Sequence, residues 1–203
     1  MKIIESVAEM RDYSQRLKRD GKIVSFVGTD GGMHEGHMRL VEVAKNNSDV
    51  VILSTDNGVN YHSHTFNKDY DYKFFLNTFK NHDKDLCKSN GVDVLFRPDP
   101  KEYFPYGFNL NIEISDTVIA RLKQKFQDNT IVNKICIQEY LQHFNIILPD
   151  VILLGQKDIF QTWTIEQLVK RLNFDIDVIA VPTVRDKDNV AYATRLLHSA
   201  PGG

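Results

Sequence analysis

Apolar residues gather in five short runs, at 23–27, 50–54, 92–96, 151–155 and 178–181, each continuous rather than alternating and rich in Val and Ile. Strands buried on both faces read this way, because neither side of the pleat needs polar positions. Stretches with helical spacing lie between them, at 6–17, 34–45, 72–90 and 159–172, the first with Ser6 and Glu9 at capping-box spacing. Strands alternating with helices predict an α/β fold built on a parallel, doubly wound sheet, since each parallel return needs a crossover. Such sheets bind ligands beyond the carboxyl ends of their strands. Chemistry is therefore expected in the loops after Val27, Ser54, Gly155 and Val181. The polar, aperiodic stretch 55–71 reads as a long loop of the kind that carries sites. The stretch 99–110, with Pro100, Pro105 and Gly107, reads as a turn-rich excursion. A further strand at 109–114 and helices at 116–126 and 132–144 complete the expected order. No repeat, low-complexity tract or interdomain linker interrupts it.

Composition narrows the function classes. With 203 residues, 42% of them hydrophobic, the chain can bury one sizeable core. A formal net charge of −2 gives no basic field, so nucleic acid is not an expected partner. Cys87 and Cys136 fit no metal spacing and no disulfide framework. No apolar run approaches the roughly 20 residues that cross a bilayer, and the start carries no secretory pattern. A soluble, reduced, cytoplasmic protein without a membrane partner is expected.

The segment from Phe26 to His37 is the most informative. A strand runs into the glycine-bearing turn Gly28-Thr29-Asp30-Gly31-Gly32-Met33, then into a helix whose first turn holds His34, Gly36 and His37. Free N–H groups at a helix start attract anions, and glycine lets a phosphate approach the backbone. Histidines three apart share one side of that turn and can donate to the same phosphate oxygens. Their value is greatest where charge grows in a transition state, here at an α-phosphorus under attack. Zinc ligation by the pair is the weaker reading, because no third ligand stands nearby. After the next-to-last strand, Gly155-Gln156-Lys157-Asp158 places a mobile cation and a carboxylate at a strand end. These suit phosphate and the ribose hydroxyls respectively, although a solvated loop would look the same. Val181-Pro182-Thr183-Val184-Arg185-Asp186 and then Thr194-Arg195 follow the last strand. The latter pair offers a hydroxyl and a guanidinium to leaving pyrophosphate.

Together these segments resemble the pantothenate synthetase (pantoate–β-alanine ligase) family. That family carries Pro-Thr-Met-Gly-Ala-Leu-His-x-Gly-His where this chain has residues 28–37. Its Gly-Glu-Lys-Asp-x-Gln-Gln resembles residues 155–161, its Val-Pro-Thr-Val-Arg-Glu resembles 181–186, and its Met-Ser-Ser-Arg-Asn resembles 192–196. Gly91 to Phe96 and Pro149-Asp150 agree as well. The resemblance implies a Rossmann-like, doubly wound sheet of the HxGH nucleotidyltransferase type. It implies ATP with Mg2+, an acyl adenylate made from an acid with release of pyrophosphate, and an amine that displaces AMP. His34 and His37 would act on the α-phosphoryl group, with Lys157 and Arg195 on the phosphates as the other catalytic residues. Thr29, Gly36, Gly155, Asp158, Val184 and Thr194 would bind the nucleotide, Gly155 and Asp158 at the ribose and Val184 at adenine. A homodimer through this domain is also implied.

The departures fall on the acid and amine side. The family's Asn-Pro-x-Gln-Phe loop has no counterpart in 55–66, which offers Tyr61, His62 and His64 instead. Phe160 stands where the first glutamine of its Gln-Gln pair belongs, and its Arg-Pro-Gly-His-Phe segment is not recognisable in 127–138. Family members also carry a C-terminal lid domain, and this chain stops shortly after Arg195. The expectation is thus one nucleotide-binding domain over 1–203 without the lid. Three functions stand: a ligase of pantoate and β-alanine, an adenylyl-transfer enzyme with another acceptor acid, and a non-catalytic nucleotide-binding relative.

Overall fold

A computed structural model describes residues 1–55, 72–103 and 134–194, with isolated positions between 115 and 124. Six parallel strands form one sheet in the order β1-β4-β3-β2-β5-β6. They are β1 (Lys2–Ile4), β2 (Val24–Thr29), β3 (Val50–Thr55), β4 (Val94–Phe96), β5 (Val151–Gly155) and β6 (Asp177–Val181). Helices α1 (Val7–Arg19), α2 (Glu35–Lys45), α3 (Tyr72–Ser89), α4 (Pro100–Tyr103), α5 (Lys134–Ile147) and α6 (Ile159–Arg171) connect them.

The continuous apolar runs are explained by two cores, one on each side of the pleat. Phe26, Ile52, Phe96 and Ile152 face α1 and α5, meeting Met10, Leu17, Phe144 and Ile147. Their strand neighbours Val27, Leu53, Leu95 and Leu153 face α2 and α3, meeting Met38, Val41, Ala44 and Cys87. A one-residue slip would exchange these two sets, so packing fixes the register. The amino ends of the strands are fixed by carboxylates. Asp49, Asp93 and Asp150 each precede a strand and accept N–H bonds of 2.8–2.9 Å from Ile23, Val51 and Val24 on the neighbouring chain segment. Lys18 pairs with Asp150 from α1.

β2 lies between β3 and β5, so the chain winds outward from it in both directions. The crevice beyond the carboxyl ends of β2 and β5 is therefore the switch point, where doubly wound sheets bind ligands. Two differences from the expected elements have simple causes. β1 is a three-residue edge strand paired with β4, too short for a pattern to reveal. Ile23 is exposed and lies outside β2, which instead extends to Thr29 and carries the first motif's threonine within the sheet. The expected strand at 109–114 lies outside the described residues. Of the expected helix at 116–126, positions 117, 119, 120 and 124 are helical and the rest lie outside them.

Candidate active site at the switch point

The turn from Thr29 to His34 is held from three directions. Gly31 and Gly32 adopt left-handed backbone, φ 93° and 62°, which only glycine takes without strain. Gly31 N–H donates to Thr29 Oγ1 at 3.1 Å. The carboxylate of Asp83, on α3, accepts from Gly32 N and Met33 N, both at 2.8 Å. The Met33 side chain is fully buried, with Cys87 Sγ donating to its sulfur at 3.4 Å. Thr194 Oγ1 donates to the Gly32 carbonyl at 3.1 Å. The turn is thus preorganised before any ligand arrives.

His34 is the N-cap of α2, in extended backbone. Its Nδ1 accepts from Gly36 N at 3.1 Å, and His37 Nδ1 accepts from His34 N at 3.3 Å. Both Nδ1 lone pairs are committed, so each neutral ring carries its proton on Nε2. The rings stack at 4.1 Å between centroids, and His37 Nε2 lies 3.4 Å from Thr29 Oγ1. Burial, followed by the charge of Lys157, lowers the His34 pKa to about 4. Burial, then His34 and Lys157, lower that of His37 to about 3. At neutral pH the site therefore presents two neutral Nε2–H donors beside a helix start. Gly36 also has a local reason in the packing of the turn: a Cβ there would lie 2.9 Å from Cε1 of His34.

Lys157 enters from the β5 loop, its Nζ donating to the Tyr192 carbonyl at 2.9 Å. Tyr192 returns to the site through a small turn in which Arg185 and Ala191 bridge and Asp186 Oδ1 accepts from Asp188 and Val190. Its ring stacks over His34 at 6.0 Å, and its N–H donates to the Val184 carbonyl at 3.2 Å. A side chain at Gly155 would meet nothing within 4 Å, so the space above β5 is open. Asp158 is the exposed N-cap of α6 and makes no side-chain cap bond.

Direct interactions thus gather Thr29, His34, Gly36, His37, Lys157 and Thr194 in one place. Val184 is tied to them through Tyr192, Gly155 and Asp158 stand at the open side, and Arg195 lies outside the described residues. Tyr61, His62 and His64 lie outside them too, while Phe160 is buried at 3% exposure. Sequence reasoning missed Asp83 and Tyr192. Nothing local marks either one, because their roles arise from packing across 50 residues or more. No group of three or more His, Cys, Asp or Glu side chains among the described residues could hold a metal ion.

The Pantoate-beta-alanine ligase family model matches residues 2–198. The pantothenate synthetase of Caldicellulosiruptor saccharolyticus is 34% identical over 200 residues, covering 96% of this chain and 66% of that protein. Two crystal structures superpose over 99% of the chain. One is pantothenate synthetase from Thermus thermophilus, with TM-score 0.80, 28% identity and 68% of that chain covered. The other is pantoate-beta-alanine ligase from Francisella tularensis, complexed with beta-gamma ATP and beta-alanine, with TM-score 0.78, 26% identity and 74% covered. The chain spans about two thirds of the length of the curated relatives it matches. Motifs, sheet order and these matches agree: the chain belongs to the pantoate-beta-alanine ligase family.

Proposed function

We propose that this chain activates a carboxylic acid with ATP and passes the acyl group to an amine, as a pantoate–β-alanine ligase does. A carboxylate oxygen bonds to the α-phosphorus while the bridging bond to the β-phosphate breaks and pyrophosphate leaves. The amine nitrogen then bonds to the acyl carbon, AMP leaves, and the amine gives up a proton. The observation that carries this reading is the pair of neutral, tautomer-fixed histidines at the start of α2. Their Nε2–H groups strengthen their bonds as charge builds on the α-phosphoryl oxygens, and being neutral they lose no proton to the phosphate. Lys157, released from the Tyr192 carbonyl, would neutralise the phosphates, joined by Thr194 and Arg195 at the pyrophosphate. Asp158 and Gly155 would hold the ribose, with Thr29 and Gly36 supporting the phosphate turn and Val184 offering backbone to adenine.

Magnesium fits as a companion of ATP rather than in a protein cage. Asp83, the carboxylate that clamps the turn from α3, already spends both oxygens on backbone N–H groups. Mg2+ keeps several waters and binds phosphate oxygens readily, so it would shield the triphosphate charge. A cytoplasmic homodimer is part of the proposal, and light scattering reads its size.

The test is pyrophosphate release from ATP in the presence of pantoate and β-alanine, run with His34→Ala and His37→Ala. Each substitution is expected to lower kcat by about 10²–10³, as removal of one preorganised donor does, with the circular dichroism spectrum unchanged. Near-parental turnover in both variants removes the histidines from the mechanism. Nucleotide binding without turnover in the parent, across acids and amines, makes it a binding relative.

A further inference from the structure

Tyr192 stands where the family's Met-Ser-Ser-Arg-Asn motif begins with methionine. Its backbone is fixed on both sides. The N–H donates to the Val184 carbonyl at 3.2 Å, and the carbonyl accepts from Lys157 Nζ at 2.9 Å. The preceding residue, Ala191, bridges to Arg185, and two residues further on Thr194 Oγ1 donates to the Gly32 carbonyl at 3.1 Å. These bonds tie the segment to the loop after β5 and to the glycine turn of the first motif, so the Tyr192 ring is carried on a braced backbone. The ring is half-buried and lies over His34, 6.0 Å between centroids with planes 27° apart. A Cβ at Gly36 would stand 3.8 Å from Tyr192 Cβ, so this side chain covers the first turn of α2.

His34 needs such a neighbour. The bond from Gly36 N–H to its Nδ1, at 3.1 Å, holds one edge of the ring. The other restraint is packing, from His37 at 4.1 Å and 23° and from Tyr192. Rotation of the ring would swing Nε2–H aside and misdirect a donor on which the adenylation reading depends. Near-parallel aromatic neighbours resist that rotation, because it exchanges an offset stack for a clash or a gap. Water at the ring acts differently. A proton taken up at Nδ1 removes the lone pair that accepts from Gly36, so a ring uncovered to solvent is also more easily unlocked.

We propose that Tyr192 is a positioning residue for the adenylation step, its ring holding the His34 imidazole with Nε2–H aimed at the α-phosphoryl group and keeping water off it. This rests on the adenylation reading above. Tyr192 acts through His34 and not on the reacting atoms. Lys157 from the β5 loop and Asp83 from α3 carry the charges that His34 feels, and His37 is its neighbour on α2. All three remain when the Tyr192 ring is removed. The Tyr192 carbonyl remains as well, so Lys157 keeps its bond and a substitution at this position isolates the ring.

The experiment compares Tyr192→Ala and Tyr192→Phe with the parent in pyrophosphate release from ATP with pantoate and β-alanine. It also follows the His34 imidazole by NMR across pH, its signal identified by its loss in His34→Gln. Tyr192→Ala should lower kcat about ten- to hundredfold, the scale of a misplaced reacting group, with the KM for ATP unmoved. Tyr192→Phe, which keeps the ring, should restore the parental kcat. In Tyr192→Ala the His34 pKa should climb from about 4 toward 6.5, since the ring is less desolvated, and the acid limb of kcat should move to higher pH with it. Tyr192→Phe should leave both in place. A lowered KM for ATP in Tyr192→Ala at parental kcat overturns the proposal, because the ring then only obstructs the nucleotide. Equal losses in both variants overturn it too, since the hydroxyl and not the ring would then act. So does a lower melting temperature with the His34 titration unmoved, which makes Tyr192 a structural brace. If the parent releases no pyrophosphate with any acid and amine, the adenylation reading fails and the titration still decides. A His34 pKa raised in Tyr192→Ala alone supports the contact, and equal values in all three proteins overturn it.

Discussion

At residue 36 two local preferences oppose each other. Glycine in a helix costs about 1 kcal/mol relative to alanine, so a bare helix would gain from Gly36→Ala. Here the new Cβ would meet the His34 ring at 2.9 and 3.0 Å. The ring must swing away, breaking the bond from Gly36 N to Nδ1 and loosening the stack on His37. We expect Gly36→Ala to melt within a few degrees of the parent while pyrophosphate release falls at least about tenfold, the consequence of misplacing a preorganised donor. Equal activity would show that the ring is not held for a purpose. The substitution separates folding from chemistry, which replacement of the histidines alone does not.

Among the elements, the strands are held at opposite ends by different means: carboxylates at the amino ends and the ligand turns at the carboxyl ends. Asp150 joins three pieces there, accepting from Val24 N, pairing with Lys18 and accepting from Asp177 N through its carbonyl. Asp150→Ala should lower the unfolding free energy by about 1.5–3 kcal/mol, the range for a hydrogen bond to a charged group, without altering the KM for ATP. Urea denaturation at neutral pH measures it. The same elements show what could be read in advance. β2, β3 and β5 were legible because central strands must be apolar on both faces, and α2 because its cap and histidines are sequence neighbours. β1 was not, since three residues carry no period. His34, His37, Lys157 and Thr194 were legible as motif positions that flank strand ends. Asp83 reads as an ordinary polar residue of an amphipathic helix, and only its reach to Gly32 and Met33 gives it a role.

For the molecule as a whole, acid should be the weak direction. His143 is buried among Phe26, Phe96 and Tyr103, with Nε2 2.9 Å from Ser54 Oγ, and burial lowers its pKa from 6.5 to about 3. Between those values the unfolded chain takes up a proton that the native ring refuses. Stability is therefore full above pH 6.5 and declines as pH falls toward 3, with His37 contributing in the same sense. Replacing His143 with Gln should flatten the slope of unfolding free energy against pH over that window. An unchanged slope would mean that His143 titrates normally. The clamp of Asp83 on the glycine turn has a consequence of another kind, in the exchange of amide hydrogens with solvent. Loop amides ordinarily exchange through small local openings, far faster than those of central strands. Gly32 and Met33 donate to a buried carboxylate anchored on α3, and Gly31 donates to a strand threonine, so none of the three opens without displacing packed elements. In deuterated water these three amides should lag with the interior of β2, leaving a slow-exchanging island in a loop that a helix-and-strand map would mark as fast.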